Sequence, residues 1–153
     1  MAKDLKPIRF SLIKVNTEQF AVVGDVPKKE DIINFSTNFN FGLNKELKQI
    51  GVFAKFGFVN SNIPFLIIEA SCHFRIIEED WIKLINEEDS SIKLPKDFAS
   101  HLLMITVGTV RGILHSKTEN TPFNIYHIPL LNVADMVKSD IILNEPIPSS
   151  DNR

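Results

Sequence analysis

The first half of the chain alternates apolar and polar residues with a period of two, which predicts β-strands. The clearest case is the segment 33–41, where one parity holds Ile, Phe and Thr and the other holds Asn and Ser. Similar patterns, separated by turn-forming residues, occur at 8–15 with an apolar continuation at 19–23, at 50–58 and at 66–76. The pattern predicts a meander of about four antiparallel strands.

The second half changes to apolar spacings of three and four residues, which are typical of helices. A short helical turn or two is predicted around Trp81, and Leu94-Pro95-Lys96-Asp97 leads into a main helix from Phe98 to Leu114. The predicted segments after it are a polar loop at 116–122, an extended apolar stretch at 123–131 and a short helix capped by Asn132. Strands followed by helices predict an α+β fold, with a four-stranded antiparallel sheet, a long helix and a short C-terminal helix.

The length of 153 residues fits one domain, which buries roughly 70% of its unfolded surface and needs no metal or disulfide to fold. We expect this domain to span 1–143. Residues 144–153 contain Pro and Ser without periodicity, and we expect a disordered tail there. The single cysteine, Cys72, together with the lack of a signal-peptide pattern or a membrane-length apolar run, predicts a cytoplasmic protein.

Charge and motif content argue against several function classes. A net charge of −2 supplies no basic field, so we expect neither nucleic acid nor a membrane as partner. The four histidines lie in different predicted elements without metal-ligand spacing. Asp97, Ser100 and His101 do not form a working triad, because neighbouring helical residues point about 100° apart. We therefore expect no catalytic residue, no metal, no cofactor and no enzymatic activity.

The chain contains twelve Phe against one Tyr and one Trp. Most are expected in the core, but aromatic residues occur on both parities of the predicted strands, and helices can cover only one face of a sheet. On this ground Phe39, Phe41, Phe53 and Phe56 are the candidate residues for binding other polypeptides.

The main predicted helix is apolar over a wider arc than packing on one sheet requires. Gly108 and Gly112 would let a second backbone approach closely, and Arg111 between them offers a fork of donors for carbonyl or carboxylate oxygens. These features predict an oligomer interface that includes Leu102, Thr106, Val110 and Arg111, in a homodimer or homotetramer.

A distinctive set of residues lies in the second half of the chain: Leu94-Pro95, Ala99, Thr109-Val110-Arg111-Gly112, Phe123-Asn124, Pro129, Asn132 and Val133. Together with the order of elements, these residues resemble the SecB export chaperone family over residues 8 to 140. They are similar to the SecB pattern of a helix ending in Ser-Arg-Gly followed by a Pro-Val-Asn turn. The SecB-like proteins outside the main export group, whose helix carries Gly-Thr-x-Arg-Gly, are more similar still.

This resemblance implies a homotetramer, built as a dimer of dimers, that holds unfolded polypeptides in apolar grooves without ATP, for protein export in the main group. SecB proteins that deliver to the translocase motor SecA are strongly acidic, whereas this chain is nearly neutral and its tail lacks the SecA-binding motif. Some relatives instead protect an antitoxin partner, so SecA and an antitoxin both remain candidate partners. A small-ligand-binding α+β protein or an enzyme with one enclosed pocket is the alternative from another class.

Overall fold

The computed structural model describes residues 7–144. The predicted tail lies outside the described residues except for Asn144. Six strands and three α-helices, with one 3-10 turn, follow each other along the described chain. They are β1 (Phe10–Val22), β2 (Ile33–Asn44), β3 (Gln49–Asn60), β4 (Ile63–Ile76), α1 (Glu78–Leu84), β5 (Ile92–Leu94), α2 (Lys96–Thr118), the 3-10 turn (Pro122–Ile125), α3 (Val133–Met136) and β6 (Ile141–Leu143).

Four long strands form one antiparallel sheet in the order β1-β4-β3-β2. The strands β2, β3 and β4 are joined by hairpins, and the turn between β3 and β4 places Ser61 and Asn62 at φ of 51° and 69°. Two successive residues with positive φ match the right-handed twist of the flanking strands. With the long helix and the short ones, this arrangement confirms the predicted α+β fold.

The strand β1 is continuous, although its sequence alternation is broken. Its pairing with β4 shifts register between Leu12 and Lys14 and again between Thr17 and Gln19. Each shift inserts one extra residue, a β-bulge, and so moves the following side chains to the opposite parity. Because of the two bulges, one strand joins the segments predicted at 8–15 and 19–23.

The core lies between the sheet and α2. One face of the sheet, here called the inner face, carries the fully buried side chains of β3 and β4, and α2 packs on these two central strands. The helix contributes Leu102, Leu103, Val107 and Val110, each at most 3% exposed. Burial of each such side chain contributes roughly 1.5–3 kcal/mol, so this layer dominates stability.

The helix α2 is longer than predicted at both ends. Its first turn receives a cap from a distant residue, since the Lys96 N–H donates to Asp140 Oδ1 over 2.8 Å. At the other end the helix continues three residues into the segment predicted to be a loop, and the buried hydroxyl of Thr118 donates to the Leu114 carbonyl at 2.8 Å.

Two short elements near the C-terminus differ from the sequence prediction. The three-residue strands β5 and β6 pair with each other, and Lys93 reaches Asp140 at 3.5 Å beside them. The short helix α3 follows Asn132 as predicted, but the predicted cap is wrong. The Asn132 side-chain amide donates to the Asp135 carboxylate at 2.7 Å and does not cap the helix.

Candidate functional site

The helix α2 is narrower than the inner face on which it lies. It packs on the central strands β3 and β4, whereas β1 and β2 form the two edges of the sheet. Apolar side chains on the inner face of these edge strands are therefore covered incompletely. The incomplete cover leaves two apolar surfaces, one on each side of α2.

On one side lies the β1-side strip, which consists of Leu12, Val15 and Val22. Their partners across β4 are the buried Phe74, Cys72 and Leu66, so all three side chains point to the inner face. Each nevertheless stays at least 40% exposed. Cys72 is a free, buried cysteine and packs there as a small apolar core residue.

On the other side lies the β2-side cleft, an open depression of about 320 Å³. It is lined by Ile33, Phe35, Phe58, Ile125, Tyr126, His127 and Pro129. The Phe35 ring stacks on Phe56 at 5.5 Å, and Phe58 meets Tyr126 at 5.5 Å, so the floor of the cleft is a rigid aromatic cluster. Ile125 at the rim is 68% exposed and the nearby Leu130 is 93% exposed.

The hydroxyl of Tyr126 is the main titratable group in the aromatic floor. Burial, and then the negative charge of Asp31, raise the pKa of Tyr126 above its usual value of 10. A tyrosine phenol is neutral at physiological pH even at its ordinary pKa, and it can serve as a hydrogen-bond donor. The β2-side cleft therefore combines apolar surface with the polar groups of Tyr126 and His127, which could orient a peptide group.

The outer wall of the β2-side cleft is the extended segment that includes His127 and Pro129, and Arg111 attaches this segment to α2. This side chain donates from Nε to the carbonyl of Ile128 at 3.0 Å and from its terminal nitrogen to the carbonyl of Pro129 at 2.9 Å. Both acceptors belong to the same chain. Arg111 thus positions the extended segment that follows the 3-10 turn.

The predicted polypeptide-binding residues do not form one surface. Phe39 and Phe41 are half-buried on the inner face of the edge strand β2. Phe56 lies in the core and is 2% exposed. Phe53 is 8% exposed and lies on the opposite, outer face, where its ring meets His73 edge-on at 5.8 Å. Client contact by Phe39 and Phe41 stays a prediction.

The predicted oligomer interface is divided as well. Leu102, Thr106 and Val110 are fully buried against the chain's own sheet, and Arg111 binds the chain's own carbonyls. The solvent side of α2 instead presents Met104, with Gly108 and Gly112, and an added Cβ at either glycine would meet nothing within 4 Å. A partner on this helix would contact that side.

The outer face of the sheet contains a polar network that the sequence analysis missed. The buried Ser71 hydroxyl donates to Glu18 at 2.7 Å and lies 3.1 Å from His73 Nε2. Burial, and then the positive charge of Lys14, lower the pKa of His73 despite an opposing effect of Glu18. Since the Ser71 proton is directed to a carboxylate, the network resembles a structural contact more than an activated nucleophile.

Two further features bear on the sequence expectations. Within the described range 7–144, no helix has both the length and the apolar character that a membrane span requires. The same residues contain no cluster of three or more His, Cys, Asp or Glu side chains placed to hold a metal ion.

Comparison with known proteins gives one informative similarity. No protein-family model matches the sequence, and no curated protein matches it. Among solved structures, the chain is similar to the SecB-like chaperone Rv1957 of Mycobacterium tuberculosis, determined in complex with a ChAD peptide from the HigA1 antitoxin Rv1956. The TM-score is 0.51 at 12% identity, over 80% of this chain and 91% of that chain.

A second solved structure, a protein of unknown function from Streptococcus agalactiae, aligns with a TM-score of 0.45 at 18% identity. The alignment covers 82% of this chain and 98% of that chain. The similarity to Rv1957, at 12% identity, shows a fold and not a function. What the comparisons show is that this chain has an α+β fold similar to that of a SecB-like chaperone.

Proposed function

We propose that this protein is a chaperone that holds unfolded polypeptides on the apolar surfaces beside α2, without nucleotide. One observation carries the proposal: the inner face of the sheet is wider than its helical cover, so the β1-side strip and the β2-side cleft remain open. The fold similarity to a chaperone solved with a bound peptide supports it.

The chemistry of the two surfaces fits unfolded chains better than one specific ligand. Removal of apolar area from water contributes roughly 25 cal/mol per Å² and does not depend on a particular sequence. Unfolded proteins expose apolar side chains of many shapes, which an open aromatic cleft can accept. Burial of apolar area upon binding needs no ATP.

The small-ligand or enzyme alternative would need an enclosed pocket with converging polar groups. The β2-side cleft is open and mainly apolar. A second cleft, of about 280 Å³ between the end of α1 and the start of α2, is open as well and is lined partly by Lys83 and Lys93. The open shape of both clefts favours the chaperone proposal over a small-ligand or enzyme function.

The destination of the client has two candidates. The solved neighbour binds an antitoxin-derived peptide, which favours a dedicated antitoxin partner as the second candidate function. Delivery to SecA for export is the other. Affinity measurements with purified SecA and with the antitoxin of any adjacent toxin–antitoxin pair would separate the two. We place the protein in the cytoplasm and propose a homodimer or homotetramer that contacts through the solvent side of α2.

The main test uses insulin whose disulfides are reduced, so that its B chain aggregates and scatters light. A several-fold molar excess of the protein should suppress the scattering without nucleotide. The double substitution Ile125→Ser with Leu130→Ser should weaken suppression about fivefold or more, because it removes exposed apolar area beside the β2-side cleft.

The matched control is Ile82→Ser on α1, which removes a side chain that is 61% exposed at the other end of the sheet. Exposed substitutions of this kind change stability by about 0.5 kcal/mol or less, so neither variant should unfold. An unmodified protein that leaves the scattering unchanged would refute the chaperone proposal. Equal losses in both variants would refute the assignment to the cleft.

A further inference from the structure

The two edges of the four-stranded sheet differ in regularity. Along β1 the pairing with the neighbouring strand is interrupted by two bulges. Along β2 the pairing with β3 runs from Ile33 to Asn44 without a register shift. Bulges disturb the free edge of a strand and discourage further pairing. The free edge of β2 lacks this protection.

The side chains of β2 also lack the usual devices that block an edge. The strand contains no charged residue and no proline over its twelve residues, whereas β1 includes Lys14 and Glu18. Its outer-face positions from 34 to 40 are Asn34, Ser36, Asn38 and Asn40, all exposed, whereas Gly42 beyond them is buried. Within residues 7–144, β3 is the single strand that pairs with β2, while β6 lies against part of β2, whose residues Gly42 and Leu43 are buried. Alternate N–H and C=O groups of β2 therefore point away from the sheet.

We infer that β2 is a strand-addition site, where an extended segment of an unfolded client pairs with the free edge and forms a fifth strand. The inference rests on the proposed function and specifies how the client is held. The added strand would place every second side chain on the inner face, continuous with Phe35, Phe39 and Phe41 and with the β2-side cleft. The remaining side chains would face solvent beside the Asn and Ser residues.

The chemistry of β2 defines the segment that fits. Main-chain hydrogen bonds supply affinity without regard to sequence, and alternate apolar side chains supply selectivity. An uncharged edge offers no partner for charged residues, so we expect uncharged segments in which apolar residues alternate with small polar ones. Such segments are the aggregation-prone parts of unfolded proteins.

The test uses a peptide of about ten residues in which Phe alternates with Thr, and two backbone-methylated forms of it. One form carries N-methyl groups on the Phe residues and the other on the Thr residues. In an extended strand, N–H groups of alternate residues point to the same edge. One methylated form should therefore bind about tenfold or more weakly than the parent, and the other should bind like the parent.

Substitutions at the protein edge provide a second arm. The variant Asn38→Lys with Asn40→Lys adds two charges to β2 and leaves the inner face unchanged. It should weaken binding of the parent peptide about tenfold. The matched control, Ser11→Lys with Gln19→Lys, adds the same charge to exposed outer-face positions of β1 and should change binding less than about twofold.

The outcomes separate this inference from the proposed function. If the parent peptide and reduced insulin both fail to bind, the chaperone proposal itself is wrong. If the parent peptide binds and both methylated forms bind equally well, strand addition is wrong and the chaperone proposal stands. If β2 instead pairs with β2 of a second copy, Asn38→Lys with Asn40→Lys will halve the mass in light scattering, and this result also overturns the inference.

Discussion

The inner and outer faces of the sheet differ in how their apolar side chains are covered. On the inner face, α2 encloses the centre completely and leaves the β1-side strip and the β2-side cleft open at the edges. On the outer face, where α2 does not reach, Phe53 is almost buried by lying across the Gly51 position beside His73. The width of the sheet that α2 covers, and not the number of aromatic residues, therefore determines where apolar surface is available to a partner.

The largest expected effect is on stability and compares two phenylalanines of the same strand. Phe56→Ala removes a ring enclosed between the sheet and its cover, and we expect the free energy of unfolding to fall by about 3–5 kcal/mol. Phe53→Ala removes a ring that is 8% exposed and has no helix of residues 7–144 over it, and we expect a smaller loss of about 1.5–3 kcal/mol. Urea unfolding followed by circular dichroism measures both values. Equal losses would show that the outer face is as enclosed as the inner one.

The next effect concerns the polar network of the outer face. Burial lowers the pKa of His73 below its ordinary value of 6.5, so the unfolded chain binds a proton at a higher pH than the folded chain does. The contribution of His73 is thus fully present above pH 6.5 and is lost as the pH falls through the lowered pKa.

The measurement is the urea midpoint between pH 7.5 and about pH 5.5, a window above the range in which most carboxylates titrate. Wild-type protein should lose stability as the pH falls, and His73→Gln should lose less over the same window. Lys14 and Glu18 from β1 are the charged groups that influence the imidazole, and Phe53 from β3 packs against it. Identical pH profiles for the wild type and His73→Gln would show that folding does not lower the pKa of His73.

The smallest effect on stability is expected at Met104, on the solvent side of α2. Met104→Glu should change the free energy of unfolding by about 0.5 kcal/mol or less if the chain is monomeric. If the proposed dimer or tetramer forms through this side of the helix, the same substitution should reduce the mass seen by light scattering at micromolar concentration. A wild-type mass of 17.4 kDa, that of one chain, would contradict the proposed assembly.

Much of the architecture could be predicted from the sequence because β2, β3, β4 and α2 each keep one periodicity along their length. The strand β1 was harder, since each bulge reverses parity and a single strand then resembles two segments. The short strands β5 and β6 have three residues each, too few to display a period. They pair with each other across about fifty residues of sequence, and such a contact has no local signal.

The candidate site was harder to predict than the fold. The aromatic residues of β2 are odd-numbered, whereas β3 has aromatic residues at both parities, and these numbers alone do not show which of them share a face. The register pairs Phe35 with Phe58 and Phe41 with Val52, so odd positions of β2 and even positions of β3 share the inner face. Register is a property of the paired strands, and neither strand alone contains it. The same limitation concealed the contact between Glu18 and Ser71.

The attachment made by Arg111 has an evolutionary consequence. Its two acceptors are main-chain carbonyl oxygens, which every amino acid provides, so the exposed residue 129 can diverge without loss of these bonds, whereas Ile128 is also held apolar by the core. Arg111 has no such freedom, because lysine cannot present two forked donors to adjacent carbonyls. Among homologues, therefore, the arginine should be retained while the segment it holds varies, and that segment could adapt to different clients without releasing the wall from the helix.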